Sequence, residues 1–357
     1  MFEVAVPLTI LSIAYPFAPV GPDAVGGAEQ ILTVLDEALE RRGHRSIVIA
    51  REGSVCRGTL FPLPAPENLG ETGQARGHVH VREAIARALE RFPVDVLHFH
   101  GVDFAAYLPA TGPPALATLH LPLHLYPPQA LFPKRPATWI HCVSESQQRA
   151  CPPGAPMLPA IPNGVDLQSL YPGRRKRGFV LCLGRICKEK GFHLAMDAAK
   201  RAGVPLVLAG QVFPYEEHQR YFHDEIEPRL GSGVHFPGPL GLTRKRRLLA
   251  AARCLAVPSQ TDETSSLVSR EALACGTPVV AFRAGALPEV VDHGRTGFLT
   301  DSVEEMAQAI QDAGALDPAE CRREAERRFS LDLMISRYLD AYRRVVREGR
   351  SVEAAHA

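Results

Sequence analysis

Arg185 and Lys190 stand just inside two glycines in the run Gly184-Arg185-x-x-x-x-Lys190-Gly191, directly after the apolar stretch FVLCLG. Arginine grips phosphate oxygens bidentately, lysine acts as a point charge, and glycine lets backbone come close. At the end of a strand, Arg185 and Lys190 therefore suit a phosphate-bearing ligand. Solvated loop cations are the plainer alternative. A second run, ETSSLVSREALACGTPVV at 263–280, follows the apolar CLAVPS. Glu263 precedes an expected helix, the amides of Ser265, Ser266 and Leu267 fall at its positive end, and Glu271 lies further inside. Helix-terminal amides suit a phosphate or sugar oxygen, and the two carboxylates can grip two polyhydroxy groups of one extended ligand. Otherwise Glu263 is a dipole partner and Glu271 a salt-bridge member.

A third feature, Gly26-Gly27-Ala28-Glu29, opens the first expected helix. Two glycines there let a diphosphate lie against the amides or simply make a turn, and the full dinucleotide fingerprint Gly-x-Gly-x-x-Gly is missing. His98 and His100 alternate onto one face of a strand, while His120 and His124 follow another. No acid or thiol at ligand spacing completes a metal site there, so no metal is expected. His120 reads as a polar group at a strand end, or else as a satisfied core histidine. Asp-x-Asp, Walker A, Gly-x-Ser-x-Gly and His-Glu-x-x-His are all absent. The basic runs at 174–177 and 244–247 read as a solvated linker and a solvated helix face.

These motifs need a scaffold that presents strand ends. Apolar runs at 8–14, 46–50, 94–99, 115–119 and 138–142 are spaced for crossover helices, with 60–80 read as an irregular insertion. Between the first two, Ala28, Ile31, Leu35, Ala38 and Leu39 form one helical stripe. A second series places strands at 179–184, 205–210, 233–236, 254–257 and 278–282, with helices expected over 188–202, 216–230, 241–251 and 266–275. The fold class is therefore α/β, two doubly wound Rossmann-like domains whose cleft faces the carboxyl ends of both sheets. The expected division is 1–172, 173–330 and a final segment 331–357. Its helix, about 331–348, carries Leu331, Met334, Ile335, Tyr338 and Tyr342 on one face, a stripe that needs a partner.

The 357 residues carry 40 Lys and Arg against 39 Asp and Glu, a formal charge of +1, so no overall field holds nucleic acid or an anionic membrane. Eight cysteines show no Cys-x-x-Cys pair and read as reduced, mostly core thiols. No basic n-region precedes the uncharged 4–20 stretch, which Pro7, Pro16 and Pro19 interrupt. A cytoplasmic chain without a membrane span is expected, and peripheral membrane contact has no support.

Taken in order, GGAE (26–29), HFH (98–100), TLH (118–120), VSES (143–146), IPNGVD (161–166), GRICKEKG (184–191), Glu263-x7-Glu271 and GALPEVVDHGRTGFL (285–299) resemble the family-4 retaining glycosyltransferases of the GT-B fold. The resemblance covers nearly the whole chain. It implies transfer of a sugar from a nucleotide diphosphate donor, UDP- or GDP-linked, to a hydroxyl of a carbohydrate, lipid-linked or small-molecule acceptor. It implies retention at the anomeric carbon, with no metal and no cofactor beyond the donor. By the same resemblance Arg185 and Lys190 hold the diphosphate, Glu271 the ribose, Glu263 the donor sugar, and Ser265–Leu267 amides sugar or phosphate oxygens. His120 lies near the sugar 6-position and Gly26-Gly27 meet the diphosphate. The resemblance also implies that the final helix packs back toward the first domain. Many relatives carry Phe-Gly where this chain has Ser265-Ser266. A sugar-nucleotide epimerase of the same fold and a non-catalytic nucleotide-sugar binder are the alternatives.

Overall fold

The computed structural model describes residues 6–24, 26–65, 70–173, 175–231 and 233–356, without the side chains of 352–356. Arg174 of the basic linker lies outside the described residues. Two compact units result: 1–143 with 147–161 and 335–357, and 144–146 with 162–334. Residues 162–172 thus cluster with the second unit.

The first unit is built on six parallel strands, β1 (Thr9–Ile13), β2 (Arg45–Arg51), β3 (Thr59–Leu63), β4 (Val96–Phe99), β5 (Ala115–Leu119) and β6 (Thr138–Cys142), in the order β3-β2-β1-β4-β5-β6. Near-continuous burial along β1, β4 and β5 follows from covering both faces, which is why these runs are apolar without alternation. Ile31, Leu35 and Leu39 of helix Gly27–Arg41 are buried. The winding reverses between β1 and β4, so the loops leaving their carboxyl ends diverge and open a crevice.

The second unit repeats the plan with β7 (Val180–Leu183), β8 (Leu206–Ala209), β9 (Val234–Gly238), β10 (Cys254–Val257), β11 (Val279–Phe282) and β12 (Gly297–Thr300), ordered β12-β11-β10-β7-β8-β9. Its reversal falls between β7 and β10, which pair in register at Cys254↔Val180 and Leu255↔Leu181. The loops after these two strands carry the two strongest sequence motifs.

Several expectations change. The expected insertion at 60–80 is instead β3 and the start of a long helix, Glu71–Arg91; Pro62 in the strand and Gly73 and Gly77 in the helix masked the pattern. The helix expected over 188–202 breaks at Gly191, where φ is 63° and a Cβ would stand 2.3 Å from the Pro258 carbonyl oxygen. Only glycine fits there, so Lys190 sits in a short 3-10 turn and the helix proper is Phe192–Ala202. The run 216–230 divides into an α-turn (Glu216–Tyr221), a π-helical stretch (Phe222–Ile226) and a 3-10 turn (Glu227–Arg229), the last containing Pro228. The last helix runs from Leu331 to His356, well past 348. The basic runs are not wholly solvated. Lys176 is half-buried and donates to the carbonyls of Ala250 and Cys275 and to Thr277, and burial lowers its pKa to about 8. Lys245 leaves its helix face for Glu271. Among the described residues no helix is long and apolar enough to cross a membrane.

Candidate functional site

In the second unit, the switch point sets the loop after β7 beside the loop after β10. Lys190 Nζ donates to Glu263 Oε1 at 2.5 Å, and Ser259 Oγ donates to the same oxygen at 2.5 Å. Burial works to raise the Glu263 pKa. The Lys190 ammonium, the hydrogen bonds from Lys190 and Ser259, and the Arg185 charge outweigh it, so the net shift is downward and Glu263 is a carboxylate at neutral pH. Arg185 is exposed and makes no ion pair among the described residues. One cation of the motif is thus committed to an acid and the other faces solvent.

The backbone of Glu263 is fixed from behind. Its carbonyl accepts from Ala286 N at 2.7 Å, and Gly285, at φ +53°, packs so closely that a Cβ would come within 2.3 Å of that oxygen. This explains the glycine of the GALPEVV motif: it buttresses the acid.

Between Glu263 and the helix Leu267–Ala274 the chain turns sharply. Ser266 is the N-cap in the left-handed region, φ 53° and ψ 70°, where a non-glycine residue is strained. Its hydroxyl meets that of Ser269 at 2.7 Å. Ser265 is buried and its Oγ has no hydrogen-bond partner. A buried hydroxyl left unpaired at the start of a helix has a hydrogen bond to offer to a water or a ligand oxygen. Inside the helix, Glu271 pairs with Lys245 Nζ at 2.6 Å. Its neighbour Arg270 is turned into the core, donating to the Asn163 carbonyl and lying over Phe329 at 4.8 Å. Lys190, Glu263, Ser265, Ser266 and Leu267 are therefore brought into one neighbourhood, with Glu271 further along the helix.

The first unit holds Gly26, Gly27 and His120. A Cβ on Gly26 would lie 1.9 Å from Glu29 Oε2, so the space left by this glycine is already used by the motif's own acid. Gly27 is the first residue of its helix. His120 follows β5, is buried, and stacks on His100 with Nε2 3.0 Å from His100 Nδ1. Burial, aided by His141, lowers the His120 pKa to about 3. It is a neutral imidazole, able to donate or accept a hydrogen bond but not to carry charge at neutral pH.

Behind it runs a directed chain. His141 Nδ1 donates to the Cys142 carbonyl, which leaves Nε2 to accept from Thr118 Oγ1 at 2.6 Å. Thr118 in turn accepts from His98 Nε2 at 2.8 Å, and His98 Nδ1 accepts from the Tyr342 hydroxyl at 2.8 Å. Both nitrogens of His98 are occupied, so it has no lone pair left for a metal. The sequence assigns no part in these networks to Ser259, Lys245, Gly285 or Tyr342, although Gly285 opens a recognised motif and Tyr342 lies on the apolar stripe of the last helix. Ser259, four residues before Glu263, and Lys245, in the basic run, carried only weak local signals.

The family model for glycosyl transferases group 1 matches residues 177–314, and that for glycosyltransferase family 4 matches residues 25–169. The chain is 31% identical over 226 residues to an alpha-maltose-1-phosphate synthase of Mycobacterium tuberculosis, a match covering 53% of this chain and 57% of that protein. It is 32% identical over 211 residues to a D-inositol 3-phosphate glycosyltransferase of Mycolicibacterium paratuberculosis, covering 52% and 47%. The chain spans about half the length of the curated relatives it matches. The crystal structure of AviGT4, a glycosyltransferase involved in avilamycin A biosynthesis, superposes with a TM-score of 0.70 at 25% identity, covering 95% of this chain and 98% of that one.

Proposed function

The chain belongs to the family-4 glycosyltransferases of the GT-B fold, and on that premise we propose that it moves a sugar from a nucleotide diphosphate donor to a hydroxyl acceptor, with retention and without a metal. The donor is a UDP- or GDP-sugar, and the acceptor a carbohydrate, lipid-linked or small-molecule hydroxyl. The observation that carries this reading is the meeting of Lys190 with Glu263 beside the unpartnered Ser265 hydroxyl. It gathers a cation, a carboxylate and helix-terminal donors at one sheet edge.

In the proposed reaction the anomeric carbon becomes oxocarbenium-like as its bond to the diphosphate breaks. Arg185, Lys190 and the amides at Ser265–Leu267 stabilise the negative charge growing on the leaving phosphate. The acceptor oxygen bonds to the same face of the carbon, and its proton passes to a leaving phosphate oxygen. Glu263, held ionised, orients the donor sugar through its hydroxyls, and Glu271 takes the ribose. His120, neutral, hydrogen-bonds a sugar hydroxyl, and Gly26-Gly27 meet the diphosphate. No cofactor enters.

A thermal-shift panel of UDP, GDP, ADP and dTDP with their sugars, run in EDTA, identifies the base, because a ligand of the folded state alone raises stability. NMR of the product with an acceptor panel then reads the anomer. We expect one base to dominate and the donor configuration to persist. Silence of the whole panel, or inversion, or activity abolished by EDTA and restored by magnesium or manganese, overturns the proposal. Sugar rearrangement without acceptor identifies an epimerase.

A further inference from the structure

We propose that Cys187, Glu189 and His218 of the second unit form a binding site for a zinc-class transition-metal ion. Among the described residues they are the one group of three metal-ligating side chains whose ligand atoms all lie within 4.8 Å of one another. Cys187 and His218 are buried and Glu189 is exposed, so two ligands are anchored and the third approaches from solvent.

Two separate elements supply the three ligands. Cys187 and Glu189 belong to the loop after β7, separated by one residue at the start of its 3-10 turn. His218 comes from the α-turn Glu216–Tyr221, and its ring is held edge-on by Tyr215 at 5.2 Å and Phe213 at 6.2 Å. Its Nδ1 is buried without any hydrogen-bond partner, and the residue is only 6% exposed. Buried imidazole nitrogens are almost always paired, and an ion is one of the partners that accounts for an orphan.

The donor set decides the metal class. A thiolate, an imidazole and one carboxylate suit zinc in tetrahedral geometry, with a fourth position open to water or another ligand. Magnesium and calcium prefer oxygen alone. Burial and its hydrogen bond with Glu189 push the Cys187 thiol up to about 11, so it holds its proton when the site is empty. On binding, the sulfur–hydrogen bond breaks, the sulfur–metal bond forms, and the proton leaves to water. No redox change is involved.

Arg185 and Lys190 flank both loop ligands in sequence. An ion on Cys187 and Glu189 would tie this loop to the helix carrying His218 and hold the stretch between the two cations. The site stands on its own residues and does not depend on what the chain transfers.

The test uses the full chain, reduced and freed of metal by a chelator, titrated with cobalt(II) and then with zinc. We expect one equivalent of cobalt to give a thiolate-to-metal charge-transfer band, zinc to displace it, and excess magnesium to leave it unchanged. Cys187→Ser should abolish the band. Glu189→Gln and His218→Gln should weaken binding by at least the roughly tenfold that loss of an outer-shell partner costs. Far-ultraviolet circular dichroism in chelator establishes that each variant is folded. If Cys187→Ser does not fold, the exposed Glu189→Gln decides. A missing band, a band that survives Cys187→Ser, or unchanged affinity in Glu189→Gln overturns the site.

Discussion

The Lys190 ammonium lies 2.5 Å from the Glu263 carboxylate across 73 residues of sequence, each side chain delivered by the loop of a strand flanking the same switch point. The pair is partly sheltered, with side-chain exposures of 28% and 10%. Glu263 is the member that depends on it, since burial alone pushes its pKa up.

Removing the cation should therefore hurt more than removing the pair. Lys190→Ala leaves a buried carboxylate with Ser259 as its remaining hydrogen-bond donor, and we expect a loss of roughly 2–3 kcal/mol, below the full buried-pair range because Lys190 is partly exposed. Adding Glu263→Gln should recover a good part of that. Denaturant midpoints of the two single variants and the double variant form the cycle, and strict additivity would show that the two side chains are not coupled.

Glu263 and Glu271 should have separable roles. Glu271→Ala should weaken binding of the nucleoside diphosphate about ten- to hundredfold, the loss of a charged hydrogen bond worth about 1.5–3 kcal/mol. Glu263→Ala should leave that affinity nearly intact and lower turnover of the complete donor. Calorimetry with the diphosphate and kinetics with the donor distinguish them, and equal weakening of diphosphate binding by both would refute the assignment.

Most of this neighbourhood was legible because its signals are local. GRICKEKG and ETSSLVSREAL each follow an apolar run, and a doubly wound sheet delivers such loops to one edge. The partners were not legible. Nothing in the sequence says that Lys245 meets Glu271 or that Gly285 abuts Glu263, because those contacts depend on how helices and loops fold back on the sheet. The strand at 59–63 was hidden by Pro62, a residue that ordinarily argues against a strand but is tolerated at a sheet edge. Helix 71–91 was hidden by its polar exposed face and two glycines.

Ser266 gives a test of backbone strain. The left-handed conformation costs a non-glycine residue about 1–2 kcal/mol, while glycine forgoes the Ser269 contact and adds freedom to the unfolded chain. These terms nearly cancel, so Ser266→Gly should be within about 1 kcal/mol of the parent. Ser266→Ala keeps the strain and loses the hydrogen bond, and should fall by about 1 kcal/mol. Thermal melts of both variants compare them directly; an alanine variant more stable than the glycine one contradicts the conformation.

The histidine chain predicts acid sensitivity. Burial lowers His98 and His100 well below 6.5, His141 to about 4 and His120 to about 3. Below 6.5 the unfolded chain takes up protons that the folded chain refuses. Stability is therefore full above that value and falls with pH toward about 4. Each histidine kept neutral removes about 1.4 kcal/mol per pH unit. Denaturant unfolding near pH 7 and near pH 5 should show the decline, and His141→Gln should lessen its slope by about one histidine's share. A stability unchanged over this range would show that these rings titrate normally.

The first unit is written in three pieces of sequence, with the whole of 162–334 inserted before its last piece. Tyr338 and Tyr342, fully buried against His98, Thr118 and His141, belong to that last piece. During synthesis the N-terminal sheet emerges first but lacks the hydroxyl that occupies His98 Nδ1. The inserted unit has all of its own residues before that last piece begins. A chain cut before residue 335 would therefore keep every residue of the second unit and lack part of the first.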